Sequence, residues 1–239
     1  MMTELTLPII GYMHSSYKEK FGIPRQPNLV QVESYIEMSA PYNDVLAFEG
    51  IEAFSHLWLV WQFHDNKNPE QTQFRPQVRP PRLGGNKKIG VFATRSMYRP
   101  SQIGLSVVRL KCVKKEGKSV RVYVTGSDLL DGTPIVDIKP YIHYSDAVID
   151  AESGYAQDEP KRKSVIWLDR AIEQKQQLLM SGKLSVQTAQ ELEAVLSLDP
   201  RPAYQDDEAR VYKMKFAAVD IAFTVGETTV NITDVELET

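Results

Sequence analysis

The chain has 239 residues, enough for one large domain or for a large and a small one. Its 42% hydrophobic and 25% charged residues are typical of a globular protein, and no apolar run has transmembrane length. A single cysteine, Cys112, excludes an internal disulfide and a cysteine-built metal site, and the four histidines have no metal-binding spacing. We therefore expect no metal. The N-terminus lacks a signal-peptide pattern, so we expect a cytoplasmic protein.

The sequence pattern of the N-terminal part predicts a series of short strands. Residues 7–13 and 34–39 are the first two, and residues 45–53 form one short helix. The nearly continuous apolar run 57–63 predicts a strand that is buried on both faces, and residues 89–94 predict another strand.

The charge of the chain is unevenly distributed. No Asp or Glu occurs from Gln71 to Lys115, and the eleven Lys and Arg residues there give this acid-free segment a charge of +11 against −14 for the remainder. Four of these cations, Arg79, Arg82, Lys87 and Lys88, fall in a long loop. Such segregation is typical of a polyanion site, but these cations could equally pair with acids elsewhere in the fold.

Residues 105–113 and 119–125 alternate apolar and polar side chains on either side of a Lys-Glu-Gly-Lys turn, which predicts a β-hairpin. Short strands punctuated by Gly and Pro continue to about residue 145. This pattern favours an all-β barrel or sandwich for the N-terminal part.

Residues 127–141 hold three carboxylates and one lysine around a rigid turn. Gly132 tolerates a positive φ, Pro134 fixes its own φ, and residues 135–138 predict a short strand ended by Pro140. Asp137 and Lys139 then point to the same face of the strand. They are either a base beside a cation or a surface ion pair that contributes little.

The C-terminal part predicts a small α+β unit. Residues 150–163 are polar and irregular, and we place the domain boundary there, giving domains 1–150 and 151–239. A helix over 168–180 ends at Gly182, and Ser185 caps a second helix with Ala189, Leu192, Val195 and Leu196 on one face. Three strands follow over 211–216, 219–225 and 229–237.

Several known reaction types have no motif here. A Gly-x-Gly-x-x-Gly after a strand, a Walker phosphate loop and a nucleophile elbow are all absent from the sequence. His64 ends the apolar run 57–63 and faces the long basic loop, which makes it the one histidine of interest. The residues alone therefore indicate a β-rich protein with one cationic region and one rigid acidic turn.

Several motifs in order along the chain resemble one known family. They are Pro-Arg-Gln-Pro at 24–27, Ala-Pro-Tyr-Asn at 40–43, Phe-Ser-His-Leu-Trp at 54–58, Arg-Pro-Pro-Arg-Leu-Gly-Gly at 79–85, Gly-Val-Phe-Ala-Thr-Arg-Ser at 90–96, Asp-Leu-Leu-Asp-Gly-Thr-Pro at 128–134 and Asp-Pro-Arg-Pro-Ala-Tyr at 199–204. The chain resembles the TsaA/TrmO family of bacterial tRNA methyltransferases over nearly its whole length.

The resemblance implies a mainly β fold, with an N-terminal single-sheet β-barrel and a small C-terminal α+β domain. It implies a homodimeric methyltransferase that uses S-adenosyl-L-methionine as cofactor. The implied substrate is tRNA, threonine tRNA above all, with N6-threonylcarbamoyladenosine at nucleotide 37, and the methyl group is added at N6. The alternative is a non-catalytic barrel that binds a nucleotide-like ligand or RNA.

The resemblance also assigns residues. The implied cofactor contacts are Pro24, Arg25, Gln26, His64, Asp65, Arg95, Leu105, Asp128, Leu129, Leu130 and Asp131. For catalysis, the target nitrogen holds a proton that a base must remove, and Asp137 is our predicted base with Lys139 stabilising the charge that develops. Arg79, Arg82, Lys87 and Lys88 are predicted to bind tRNA phosphates.

One stretch departs from the family pattern. Ser101-Gln102 stands where the family usually has Asn-Pro. Loss of that proline frees a backbone N–H and softens the turn, so the side chains of residues 101 and 102 are not expected to make the family's contacts.

Overall fold

The computed structural model describes residues 5–66, 74–202, 205 and 207–238. Within that part of the chain the strands are β1 (Gly11–His14), β2 (Glu33–Met38), β3 (His56–Gln62), β4 (Gln77–Val78), β5 (Ile89–Gly90), β6 (Ile103–Glu116), β7 (Ser119–Thr125), β8 (Pro134–Pro140), β9 (Ser164–Trp167), β10 (Tyr212–Phe216), β11 (Val219–Val225) and β12 (Thr229–Leu237). The α-helices are α1 (His143–Asp146), α2 (Asp169–Met180) and α3 (Val186–Leu196), and short 3-10 helices cover Val45–Phe48, Ile51–Ala53, Pro81–Leu83, Val91–Ala93 and Gly154–Ala156.

Six strands of the N-terminal part close into an antiparallel barrel in the order β1-β2-β7-β6-β3-β8. Alternate residues of each strand point inward, and Ile36, Leu59 and Val122 are among the fully buried side chains that fill the barrel. The predicted β6–β7 hairpin is confirmed, with Gly117 at a φ of +63° in its turn. Closure leaves these six strands without a free edge, and the sequence-based prediction of a single-sheet barrel is confirmed.

Two local predictions in the N-terminal part were wrong. Residues 89–94 are a strand only at Ile89–Gly90, and the 3-10 helix Val91–Ala93 follows, in which Val91 is buried. Residues 45–53 are two 3-10 helices rather than one helix, because Gly50 adopts a φ of +84° between them.

The apolar run of β3 is not buried equally on its two faces. Leu57 and Leu59 are fully buried inside the barrel, whereas Trp58 and Val60 on the outer face are half-buried. The outer face is apolar because other elements cover part of it. Tyr141 packs with its ring 5.8 Å from that of Trp58, whose Nε1 donates a hydrogen bond to Asp146 Oδ2 at 3.0 Å.

The C-terminal part is a four-stranded sheet in the order β10-β11-β12-β9, with α2 packed against β12. The two predicted helices and three predicted strands are confirmed to within about a residue. Ser185 Oγ accepts the backbone N–H of Thr188 at 2.9 Å, as expected for its capping role. Strand β9, which pairs parallel to β12, was missed by the sequence analysis.

The N-terminal part contributes to the second core. Tyr17, Val30 and Val32 are buried among the apolar side chains of the C-terminal sheet, and Tyr17 forms a β-bridge with Phe216. The backbone N–H of Ala217 also donates to Ser16 O at 2.8 Å. The segment that follows β1 is therefore held on one side by the barrel and on the other by the C-terminal sheet.

The C-terminal Asp-Pro-Arg-Pro-Ala-Tyr motif contacts the Pro-Arg-Gln motif. Arg201 is buried and makes a bidentate ion pair with Asp199, through Nε to Oδ1 and Nη2 to Oδ2, both at 2.9 Å. The backbone carbonyl of Arg201 accepts a hydrogen bond from Arg25 Nη2 at 3.0 Å. Ala203 and Tyr204 of the motif lie outside the described residues.

Candidate cofactor site

A cavity of 620 Å³ lies where the loops after β1, β3 and β7 meet the segment that leads into β6. A volume of this size suits a cofactor-sized ligand. Nine of the eleven residues predicted to contact the cofactor line it, namely Pro24, Arg25, Gln26, His64, Asp65, Arg95, Leu105, Asp128 and Leu130. Segments far apart in the sequence are thus brought together around one space.

The carboxylate of Asp128 is a largely buried ionisable group in the lining of the cavity. Its Oδ1 accepts a hydrogen bond from Ser106 Oγ at 2.6 Å, and Ser106 Oγ accepts one from Trp61 Nε1 at 3.0 Å. Burial raises the pKa of Asp128 to about 6, and the hydrogen bond from Ser106 opposes part of this rise. An ionised carboxylate held among apolar walls favours a cationic group of a ligand.

The loop that carries Asp128 is fixed from behind by the segment after β1. Ser15 Oγ donates to Leu129 O at 2.9 Å, and Ser15 N donates to Asp131 Oδ1 at 2.9 Å. Asp131 Oδ2 also pairs with Lys18 Nζ at 2.9 Å, and Gly132 takes a φ of +77° in the turn. Leu129 is fully buried in the barrel core, so neither it nor Asp131 lines the cavity; both hold the loop that does.

Cationic side chains line the same cavity. Arg95 Nη1 donates to Gln26 Oε1 at 2.6 Å, which orients its guanidinium without neutralising it. Lys20 pairs with Asp65, with 3.5 Å between Nζ and Oδ2. Among the described residues Arg95 has no carboxylate partner within 4 Å, although its charge lowers the pKa of Asp128 at longer range. Its guanidinium can therefore still bind an anionic ligand group.

Several residues that line the cavity were not predicted from the sequence, including Lys20, Trp61, Phe63 and Arg99. The rings of Trp61 and Phe63 lie edge to face, 4.4 Å apart. Gly104 lies so close to the Trp61 indole that an added Cβ would be 2.2 Å from its Cε2. The sequence signal was weak, because two aromatic residues in an apolar strand resemble ordinary core residues.

Asp137 and Lys139 lie on the outer side of β8 and do not line the cavity. Asp137 Oδ2 is 3.5 Å from Lys139 Nζ, and the two side chains are 48% and 66% exposed. Asp137 Oδ1 accepts the backbone N–H of Ile138 at 2.9 Å. Lys139 is the cross-strand neighbour of Trp58, which does line the cavity, so the pair lies beside the site rather than within it.

The four predicted tRNA-binding cations all lie on the loop between β4 and β5 and are exposed. Arg82 donates to the backbone carbonyl of Asp158, and none of the four makes an ion pair with a carboxylate among the described residues. Across the described part of the acid-free segment, Lys111 alone has such a partner, Glu33. The alternative in which these cations pair with acids elsewhere therefore finds support only for Lys111 within the described part of the chain.

Two family models match almost the whole chain. The model of the tRNA-methyltransferase O N-terminal domain matches residues 12–147, and that of the TrmO C-terminal domain matches residues 160–238. The chain belongs to the TrmO family. Its family and barrel fold, predicted from the motifs, are thereby confirmed.

Relatives agree over most of their length. The chain is 44% identical over 208 residues to the Escherichia coli tRNA (adenine(37)-N6)-methyltransferase, covering 87% of this chain and 86% of that protein. It is 44% identical over 223 residues to a putative S-adenosylmethionine-dependent methyltransferase of Pseudomonas aeruginosa, covering 92% of each. A crystal structure of TrmO from P. aeruginosa superposes with a TM-score of 0.79 at 35% identity, covering 100% of this chain and 99% of that one.

The backbone at residue 102, where the chain departs from the TrmO pattern, has a conformation that proline cannot adopt. Gln102 has a φ of +50°, and its N–H donates to Arg99 O at 3.0 Å. Proline can adopt neither feature, because its ring holds φ near −65° and it has no N–H. The carbonyl of Gln102 accepts the N–H of Phe63 at 2.9 Å, so this turn supports one of the aromatic walls of the cavity.

Neither a membrane-length apolar helix nor a metal-binding cluster occurs among the described residues. None of the helices there is long and apolar enough to cross a membrane. No group of three His, Cys, Asp or Glu side chains is placed to hold a metal ion in that part of the chain.

Proposed function

We propose that this chain binds S-adenosylmethionine in the cavity and methylates N6 of N6-threonylcarbamoyladenosine at nucleotide 37 of tRNA, threonine tRNA above all. The enzyme class, an S-adenosylmethionine-dependent tRNA (adenine-N6)-methyltransferase, follows from membership of the TrmO family. The threonylcarbamoyl group and the tRNA identity are the finer part of the proposal. The observation that supports cofactor binding is the 620 Å³ cavity, in which the Asp128 carboxylate lies among aromatic walls.

The residues of the cavity fit this cofactor. Its sulfonium cation suits the carboxylate of Asp128, and its methionyl carboxylate suits the guanidinium of Arg95 or Arg25. The adenine suits an apolar wall such as Leu105 and Leu130. When bound, the cofactor supplies an electrophilic methyl group. The remaining task of the chain is to hold the tRNA and to take a proton from the nitrogen that is methylated.

Removal of that proton is the step for which a side chain is needed. The N6 nitrogen joins the purine to a carbamoyl group, so its lone pair is delocalised and attacks poorly while the hydrogen is present. We propose that the Asp137 carboxylate accepts this proton while Lys139 stabilises the negative charge that develops on the base or carbamoyl oxygen. Asp137 is supported by a strand of the barrel, which is the rigid placement that such a role requires.

The position of Asp137 sets a condition on the substrate. Because Asp137 and Lys139 lie outside the cavity, the modified base has to reach past Trp58 for them to act. Asp128, Asp131 and His64 are the alternatives. Among these three, Asp128 and His64 line the cavity, whereas Asp131 is held by Ser15 and Lys18.

We further propose that the chain forms two domains. Residues 1–150 hold the cofactor and the catalytic groups, and residues 151–239 form a small α+β domain. The loop cations between β4 and β5 bind tRNA phosphates, because they are exposed and lack carboxylate partners among the described residues. With tRNA as its substrate, we expect the enzyme to act in the cytoplasm.

The proposed assembly is a homodimer. Its support is a patch of exposed large apolar side chains after β8, where Tyr144, Val148 and Ile149 are 90%, 67% and 94% exposed. Sedimentation at micromolar concentration tests it, and a monomer there would count against it.

The proposed function is tested by incubating the protein with S-adenosylmethionine and purified tRNA, then digesting the tRNA to nucleosides. We expect a methylated N6-threonylcarbamoyladenosine from modified threonine tRNA and none from the same tRNA prepared without the threonylcarbamoyl group. Methylation of both tRNAs alike would limit the function to adenine 37 itself.

Cofactor binding is measured separately by thermal shift. A ligand that binds only the folded state at a hundred times its dissociation constant adds about 2.7 kcal/mol of stability. A shift with S-adenosylmethionine but no methylation of any tRNA would favour the non-catalytic binding protein. No shift, together with a larger response to ATP or NAD, would contradict the cofactor assignment.

A further inference from the structure

Two phenylalanine side chains are exposed at the rim of the cavity. Phe74 and Phe92 are 58% and 67% exposed, and their rings stack with centroids 6.0 Å apart and planes 28° from parallel. Phe92 lines the cavity, whereas Phe74 lies outside it. Exposed aromatic side chains in contact with each other are a surface that a partner can use, because burial of their faces is still to be gained.

The backbone around this pair is held in place. Phe92 is the central residue of the 3-10 helix Val91–Ala93, whose first residue, Val91, is buried in the protein. The N–H of Val91 donates to Pro76 O at 2.9 Å, and Gln77 pairs with Gly90 between β4 and β5. These contacts tie the segment of Phe74 to the segment of Phe92, so the ring pair is preorganised.

One arginine contacts the pair, a second adjoins Phe74 in the chain, and carboxylates are absent from the same stretch of sequence. The guanidinium of Arg99 lies 5.5 Å from the ring centroid of Phe92, and that of Arg75 lies 5.9 Å from the ring centroid of Tyr98. Both arginines belong to the acid-free segment between Gln71 and Lys115. Aromatic rings interleaved with arginines form the type of surface on which single-stranded nucleic acids stack their bases.

We propose that Phe74 and Phe92 stack an unpaired base of the tRNA anticodon loop and so position the loop at the cavity. This inference rests on the proposed function and names the residues that engage the substrate. Charge complementarity favours RNA over a protein partner, because these arginines match a phosphate backbone. The adenine of the cofactor is a poorer candidate for the pair, because Phe74 does not line the cavity.

The test uses the full-length protein and an anticodon stem–loop RNA with one 2-aminopurine placed in turn at each unpaired position. We expect fluorescence quenching at one or two positions with the wild type and its loss in Phe74→Ala and Phe92→Ala. The affinity for RNA should fall by about 5- to 150-fold, the range typical for the loss of one base–aromatic stack. Phe74→Trp should retain binding, since it keeps a stacking face.

Controls separate stacking from other causes. Met180→Ala removes an apolar side chain that is 86% exposed on the C-terminal part, and it should leave RNA binding unchanged. The proposal also requires that Phe74→Ala raise the KM for tRNA more than it lowers kcat. The affinity for S-adenosylmethionine, measured by calorimetry, should stay within about twofold of the wild type in the same variant.

Three outcomes would overturn the inference. RNA affinity within twofold of the wild type in both alanine variants would show that the rings do not stack a base. A parallel loss of cofactor affinity in Phe74→Ala would assign the pair to the cofactor. A change in oligomeric state would assign it to a subunit interface. RNA binding is measured in the absence of methyl transfer. If the wild type fails to methylate tRNA, the proposed function is rejected, but the RNA affinities of the variants still test this inference.

Discussion

Replacement of Asp128 by Asn is expected to stabilise the protein while it weakens cofactor binding. The two side chains have the same shape, and Asn Oδ1 can still accept the hydrogen bond that Ser106 Oγ donates at 2.6 Å. What changes is the charge. Burial raises the pKa of Asp128 from its usual 3.8 to about 6, so its ionised form is the unfavourable one in the folded protein.

The size and pH range of the effect follow from that pKa. A rise from 3.8 to about 6 corresponds to about 3 kcal/mol of free energy at a pH where the group is ionised in both states. Because the pKa of Asp128 is higher in the folded protein, ionisation of this group does not lower the stability below pH 3.8. The cost to stability grows as the pH rises and is complete above pH 6. The free energy of unfolding of Asp128→Asn should therefore exceed that of the wild type by up to about 3 kcal/mol at pH 8, and the difference should shrink towards pH 4.

Urea denaturation of both proteins across this pH range measures the difference directly. Other carboxyl groups also respond to acid, since hydrogen bonds from Lys111 and Ser119 hold the pKa values of Glu33 and Glu37 below their usual range. Their contributions occur in both proteins and cancel in the comparison. A stability difference that is independent of pH, or a destabilised variant at pH 8, would refute the reasoning about the buried charge.

The cofactor provides the second part of this test. If the Asp128 carboxylate contacts the sulfonium, Asp128→Asn should lower the affinity for S-adenosylmethionine by about 10- to 150-fold, the range for loss of an interaction with a charged group. S-adenosylhomocysteine has a neutral sulfur and should be affected much less. Calorimetry with both ligands separates charge from shape, and an equal loss of affinity for the two would mean that Asp128 does not face the sulfonium.

Three further predictions concern catalysis, tRNA and the turn before β6. Asp137→Asn should fold and bind both ligands normally but lower the single-turnover methylation rate at least about a hundredfold, and a rate within a few-fold of wild type would transfer the role of base to another group. Arg82→Ala and Lys88→Ala should each reduce the log–log salt slope of tRNA binding by roughly 0.7 to 0.9, with Lys213→Ala as the exposed control that leaves it unchanged. Gln102→Pro should lower the free energy of unfolding by about 3 kcal/mol in urea, whereas Gln102→Gly should stay within about 1 kcal/mol. Equal stability of the last two variants would contradict the positive φ.

Elements with strong local signals were predicted from the sequence. The β6–β7 hairpin is defined by strict alternation and a turn, and α3 by a serine cap and one apolar face. Strand β9 was missed because its pairing is not local. It follows a basic stretch, its burial is shallow, and its partner β12 lies about 65 residues further along the chain.

The cavity was predictable only through the resemblance. Asp128, Arg95 and Pro24 lie far apart in sequence, and no spacing rule links them. The resemblance located nine of its lining residues but did not distinguish them from Leu129 and Asp131, which adjoin the cavity residues in sequence and point elsewhere. That distinction depends on the turn around Gly132 and on the hydrogen bonds from Ser15, which only the fold reveals.

Three unfavourable features of this protein occur at the cavity or on the chain segments that lead into its lining. Ionised Asp128 is buried among apolar walls, the loop cations of the acid-free segment lack carboxylate partners among the described residues, and Phe74 and Phe92 expose their rings to water. Each feature lowers the stability of the free protein, and each is relieved by a different part of the proposed complex: the sulfonium, the phosphates and a base. A surface arranged only for stability would pair, bury or replace these groups. Their occurrence on these segments is better explained by ligand binding than by folding, because the hydrogen bond from Ser106 offsets only part of the cost of burying ionised Asp128 and the loop cations have no carboxylate partner among the described residues.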